Sequence, residues 1–149
     1  MDCTFCKIIR GELPAHIVYE DDSVIAFMDI KPINPGHILV APKRHIVDMS
    51  ELDELTGSVI FKAAMKLENA LRRANLKCDG TNVLQSNGSA AGQEVFHYHM
   101  HIIPRFAGDR FRMRFGAQPA SGEVLADAAT SIQKALNPQF SETLHAVVV

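Results

Sequence analysis

Missing from these 149 residues is any apolar run of about 18, the length a helix needs to cross a bilayer. Met1-Asp2-Cys3 also begins nothing like the basic and then apolar leader of a secreted chain, so a cytoplasmic protein without a membrane anchor is expected. Positive charge is in short supply. A formal net charge of −2 excludes the broad basic field that duplex nucleic acid requires, so a small anionic ligand would need local donors. Cysteine is scarce as well: three residues, two of them Cys3 and Cys6, do not make a disulfide framework and point to thiol or metal chemistry in a reducing compartment. What is present, 47% hydrophobic and 21% charged residues, suffices for one domain with its own core.

Histidine, by contrast, is concentrated. Three of the seven histidines alternate with β-formers in Phe96-His97-Tyr98-His99-Met100-His101-Ile102-Ile103-Pro104. Period-2 spacing predicts a strand with His97, His99 and His101 on one face and Phe96, Tyr98, Met100 and Ile102 on the core face. Imidazoles on one ridge can divide the tasks of nucleophile, acid or base and metal ligand near neutral pH. Alternate residues of a strand lie roughly 6–7 Å apart, so at most two of the three can serve one ion.

Around that strand the chain reads as alternating elements. Cys3-Thr4-Phe5-Cys6 leads into a short apolar turn stopped by Gly11 and Pro14; the cysteine pair suits a metal better than a redox disulfide, because no βαβ pattern follows. His16–Tyr19 and Val24–Met28 form a predicted hairpin that delivers Asp29, which is either a turn former or a carboxylate for the vicinal diol of a ribose. His37–Pro42 is a third, apolar strand closed by Lys43-Arg44-His45. With two cysteines in need of further ligands, His45 becomes a metal candidate. Ser50, with acidic residues following, caps a long helix over about 51–75 whose apolar stripe packs on the sheet. Thr81–Gln85 is a fourth strand. The small-residue loop Ser86–Glu94 then runs into the histidines, where its backbone N–H groups and Gln93 can approach a phosphate. Beyond Pro104, Arg105 and the Arg/Phe run 109–115 suit a solvated edge or a substrate or partner contact, and 121–136 is an amphipathic helix before a tail ending in Val147-Val148-Val149.

Together these pieces resemble the histidine triad (HIT) superfamily, whose signature of His-x-His-x-His and two apolar residues stands here as His97-Tyr98-His99-Met100-His101-Ile102-Ile103. The likeness also covers Cys3 and Cys6 with Phe5 and Ile8, the Phe27-Met28-Asp29-Ile30 corner, Pro42-Lys43-Arg44-His45, and Asn87-Gly88 through Ala91-Gly92-Gln93. It implies an α+β fold: an antiparallel sheet of about five strands with one long helix on it, plus here a C-terminal helix. Residues 1–106 would be the core of the domain and 107–149 an extension of it, with a helix at about 121–136 and a docking tail. A homodimer formed across the long helix and a sheet edge is also implied.

The resemblance further implies a nucleotidyl hydrolase or transferase acting at the α-phosphate of a purine nucleotide. In such an enzyme His99 would be the nucleophile that forms a covalent nucleotidyl-histidine, and His101 would contact phosphate oxygen or pass a proton to the leaving group. Gln93, Asn87 and the amides of Glu94 and Val95 would hold the equatorial oxygens. Phe5, Ile8, Leu13, Phe27 and Ile30 would line the nucleoside pocket, with Asp29 on the ribose. A structural zinc would sit on Cys3, Cys6, His45 and His97. Glu94 stands where many phosphoramidase-type members have serine, which bears on the leaving group. The expected activity is hydrolysis of nucleoside 5′-phosphoramidates to AMP. Its competitors are a dinucleoside polyphosphate hydrolase, which would need Arg105 or Arg112 near a second nucleotide, a nucleotide- or partner-binding module with incidental turnover, and a zinc protein with a decayed site.

Overall fold

The computed structural model describes residues 3–76, 78–112 and 116–136. The valine-rich tail therefore lies outside the described residues, as does part of the Arg/Phe run. Residues 1–111 form one compact unit and 112–149 a second. In the second, α3 spans Gly122–Leu136.

The first unit is an α+β structure built on one antiparallel sheet. Its strands are β1 (Ile17–Glu20), β2 (Val24–Met28), β3 (Ile38–Pro42), β4 (Gly80–Leu84) and β5 (Met100–Arg105), in spatial order β1-β2-β3-β5-β4. Strand alternation decides the two faces. Val24 and Ala26 of β2, Ile38 and Val40 of β3, and Met100 and Ile102 of β5 face α2 (Glu54–Arg73), which inserts Ile60, Ala63, Ala64, Leu67 and Leu71 between them. These helix residues recur at the three- and four-residue spacing that forms a single apolar stripe. Ile25, Phe27, Leu39 and Ala41 face the other way, against Phe5 of the short helix α1 (Thr4–Ile9).

Two expectations shift. The helix begins later than Ser50: Asp53 is its N-cap and accepts from the Thr56 N–H at 2.8 Å, while Asp48 caps a separate 3-10 turn at Met49–Glu51. A carboxylate satisfies an orphan amide as well as a hydroxyl does, and two acidic caps five residues apart split the segment. The histidine stretch, moreover, is a paired strand only from Met100 onward. Ahead of it Pro42 brings no N–H, its carbonyl accepts from the His97 ring at 2.8 Å, and the Tyr98 N–H turns to the carbonyl of Ile46 at 2.6 Å. A tight turn bonds the His97 N–H to the carbonyl of Val95 at 2.9 Å, which swings Phe96 outward to 50% exposure instead of into the core.

Candidate active site and metal centre

From Tyr98 to Ile102 the alternation holds: Tyr98, Met100 and Ile102 are buried in the α2-side core, and the three histidines occupy the opposite side of the chain. Each then meets a different neighbour. His97 is fully buried, and because a carbonyl only accepts, its bond to Pro42 places the proton on Nε2 and leaves the lone pair on Nδ1. That Nδ1 lies 3.6 Å from both Cys3 Sγ and Cys6 Sγ, and His45 Nδ1 lies 3.3 Å from Cys6 Sγ.

These four ligand atoms all fall within 4.8 Å of one another. A tetrahedral zinc with bonds of about 2.3 Å to sulfur and about 2.0 Å to nitrogen separates such atoms by about 3.5 Å, so the donor set fits that ion. Helix α1 sets the cysteines one turn apart and the segment after β3 supplies His45. Burial, and then the neighbouring Cys3, push the Cys6 thiol above its ordinary value, while burial holds His97 below its own. A cation between the two sulfurs would relieve the first effect, and a neutral His97 is the form that could ligate it. The Pro42 carbonyl is the outer partner that orients the ring.

His99 is also buried, and its Nδ1 donates to the carbonyl of His97 at 2.7 Å. Its proton is thereby committed to Nδ1 and its Nε2 keeps a lone pair. Phe5 meets the ring edge-to-face at 5.1 Å between centroids and makes a similar contact with Phe27 at 5.1 Å. Ile8 and Val95 pack against the same apolar cluster. Leu13 and Ile30 do not join it; Ile30 is 89% exposed beside Asp29.

His101 pairs in register with Leu39 and Leu84, and its Nδ1 lies 2.9 Å from Nε2 of His37. Burial, with His99 and His37 nearby, lowers its pKa to about 4. His37, itself buried, accepts the Ile33 N–H on Nδ1 at 3.2 Å, and the same atom lies 3.5 Å from the Asp29 carboxylate. Sequence reasoning assigned His37 no role. A histidine opening an otherwise apolar strand, one turn after Asp29, was the available signal.

The loop leading to the histidines is tied by Gln93. Its Oε1 accepts from the Gly88 N–H at 2.7 Å, and its Nε2 donates to the carbonyls of Val47 at 2.7 Å and Val95 at 3.2 Å. Gly88 and Gly92 both adopt positive φ, which a side chain would strain. Asn87 accepts from the Met49 N–H at 2.8 Å and pairs with Gln85, so it too anchors the loop. Glu94 and Val95 line a groove of about 410 Å³ with Cys3, Thr4, His45, Val47 and Phe96. Arg105 is occupied elsewhere: it pairs with Asp109 at 2.7 Å and donates to the Phe111 carbonyl at 2.8 Å. That pair holds the Asp109 carboxyl well below the usual range.

The HIT domain family matches residues 10–108. A solved HIT-family structure from Bacillus subtilis is 42% identical over 90% of this chain and 96% of its own, with a TM-score of 0.84. A zinc-bound histidine triad protein from Mycobacterium smegmatis is 36% identical over 91% of this chain and 98% of its own, with a TM-score of 0.73. Among sequences, the Arabidopsis thaliana adenylylsulfatase HINT3 is 42% identical over 70% of this chain and 52% of its own length. The fold, the matched span and the three alternate histidines agree, and the chain belongs to the HIT family.

Proposed function

We propose that the protein is a nucleotide-binding hydrolase that breaks nucleoside 5′-phosphoramidates of purine nucleosides through a covalent nucleotidyl-histidine and releases AMP. The observation that carries this reading is the bond from His99 Nδ1 to the His97 carbonyl at 2.7 Å, which puts the lone pair of the neutral ring on Nε2, with Phe5 of the apolar cluster against the ring. An imidazole so held is a nucleophile at neutral pH without prior deprotonation. His99 Nε2 bonds to the α-phosphorus as the P–N bond to the amine breaks, and water then displaces the histidine. His101 serves the leaving group. Among the described residues the N–H groups of Glu94 and Val95 have no protein acceptor, which suits them to phosphate oxygens, with Gln93 holding their loop.

Phe5, Phe27 and Ile8 would form the base pocket, Ile30 its outer lip, and Asp29 the ribose contact. A zinc on Cys3, Cys6, His45 and His97 would be structural, since four protein ligands close it; its chemistry is a cross-link between α1, the end of β3 and the catalytic segment. Phe61, Met65 and Val83 border an exposed depression of about 280 Å³ on α2 and β4, a surface that favours a homodimer, for which sedimentation should return twice the chain mass. Dinucleoside polyphosphate hydrolysis is less favoured, because Arg105 is engaged by Asp109.

The test is intact-protein mass spectrometry after rapid mixing of wild type and His99→Ala with an adenosine phosphoramidate, a diadenosine polyphosphate and, given the named activity of the Arabidopsis relative, an adenylyl sulfate. A transient increment of one AMP on wild type alone is expected, fastest with the phosphoramidate. Nucleotide binding without adduct or AMP release from any of the three would replace this reading with a binding module.

A further inference from the structure

The turn that carries Asp29 from β2 to β3 is exposed over residues 30–33 and is nonetheless tied to the far side of the sheet. Its own backbone closes it: the Asp29 N–H donates to the His37 carbonyl at 3.0 Å and the His37 N–H to the Asn34 carbonyl at 3.1 Å. Beyond its own span it is held from β5. Asn34 Nδ2 donates to the Pro104 carbonyl at 2.9 Å and to Asp109 Oδ2 at 2.9 Å. A carbonyl and an ionised carboxylate only accept, so the amide must face them with its nitrogen. At Gly36, with φ of 95°, the backbone passes so near that an added Cβ would meet Leu76 at 2.9 Å and Pro104 at 3.1 Å. Asp109 is fixed in its turn. Its two oxygens take Arg105 Nε and Nη2 at 2.7 Å each, its side chain is only 5% exposed, and Nη1 of the same guanidinium reaches Asn82 of β4. Such a partly buried ion pair contributes little net stability, but its fork fixes direction.

Resting on the hydrolase reading above, in which Asp29 meets the ribose, we propose that Asn34 is a positioning residue that sets the Asp29 carboxylate relative to β5, and that the site thereby selects ribonucleotides over 2′-deoxyribonucleotides. The need for such a device is specific. One oxygen of Asp29 already accepts the Lys31 N–H at 2.8 Å, and a carboxylate that must also take two vicinal hydroxyls has little latitude. His101 and Pro104 stand on the same strand, so the Asn34 bond gauges the ribose contact from the strand that carries phosphate chemistry. A shift of about 1 Å in the turn would leave the base and the phosphate seated and lose the 2′-hydroxyl. A hydrogen bond to a charged acceptor is worth about 10- to 100-fold in binding, which sets the scale of the selection. Arg105 and Asp109 act through Asn34 and touch no part of the substrate.

The test is a competition in one vessel between the alkylamine phosphoramidates of AMP and of 2′-deoxy-AMP, read as the ratio of the two nucleotides released. Wild type, Asp29→Ala, Asn34→Leu and Asp109→Asn are compared. The ratio does not depend on how much of a preparation is folded, so a loss of stability alone leaves it at the wild-type value. Wild type should favour the ribonucleotide about 30-fold. Asp29→Ala and Asn34→Leu should both lower that preference to about threefold. Asp109→Asn, which leaves Arg105 and Asn34 without their shared anion, should lower it to about tenfold. The proposal is overturned by a wild-type ratio in Asn34→Leu, or in Asp109→Asn should Asn34→Leu not fold, when Asp29→Ala has lost its preference; the Asn34 bonds would then support the fold only. A wild type without preference, or an Asp29→Ala protein that keeps it, would overturn the ribose contact of Asp29 and this proposal with it. Wild type that releases nucleotide from neither substrate would overturn the hydrolase reading instead.

Discussion

The two faces of the sheet are built from the same five strands and by opposite means. Toward α2, the buried residues are aliphatic side chains with Tyr98 and Met100, and contact requires nothing beyond shape and apolar area. Toward α1, the buried apolar residues among the described ones are Phe5, Ile25, Phe27, Leu39 and Ala41, and beside them lie the buried His37, Gln93, His97 and His99. Every one of these polar groups has a directional partner, and no buried side-chain nitrogen or oxygen among the described residues lacks one. One face supplies stability that is tolerant of detail. The other holds imidazoles in single tautomers and depends on each partner being present.

Breaking the second face should therefore cost more than its small apolar area suggests. If the proposed zinc is present, Cys6→Ala removes one of its four ligands and should release it in a colorimetric chelator assay, with a loss of about 4 kcal/mol and a drop in Tm on the order of 10 °C. An unchanged Tm would deny the metal any structural part. On the first face, Ile60→Ala leaves a cavity where the side chain is fully buried and should cost about 3 kcal/mol in urea denaturation. Turnover per folded molecule should be unaffected; a fall in kcat would mean the faces are coupled through the sheet.

A smaller effect separates them by pH. Burial lowers the pKa of His37 and holds His101 at about 4, so in acid the unfolded chain binds more protons than the folded one. That contribution is fully present above the unfolded value of about 6.5 and is lost progressively as pH falls toward about 4. Urea midpoints taken across that range should decline, and the decline should be shallower in His101→Gln. A slope unchanged by that substitution would assign the acid sensitivity to other groups.

Much of this contrast can be read from the residues alone. Period-2 alternation in β2, β3 and β5 and the three- and four-residue spacing in α2 are local properties of a chain whose side chains must partition between water and a core, and the observed elements follow them. The histidine pattern and the cysteine pair likewise single out the side chains that the fold brings together, Cys3, Cys6, His45 and His97 among them. Local spacing says nothing about a partner far along the chain. The Pro42 carbonyl that sets the His97 tautomer stands 55 residues away, and His37 stands 64 residues from His101. Phe96 left the core because a turn bond to Val95 outweighed its alternation, and Arg105, a candidate for a second nucleotide, was already engaged by Asp109.

The sequence by itself determined the family, the order of the elements and which side chains are candidates for chemistry, because periodicity and residue type are set by the covalent chain. Only the tertiary structure decided which nitrogen of each histidine holds the proton, because that depends on the one carbonyl, amide or imidazole that packing brings within about 3 Å of the ring.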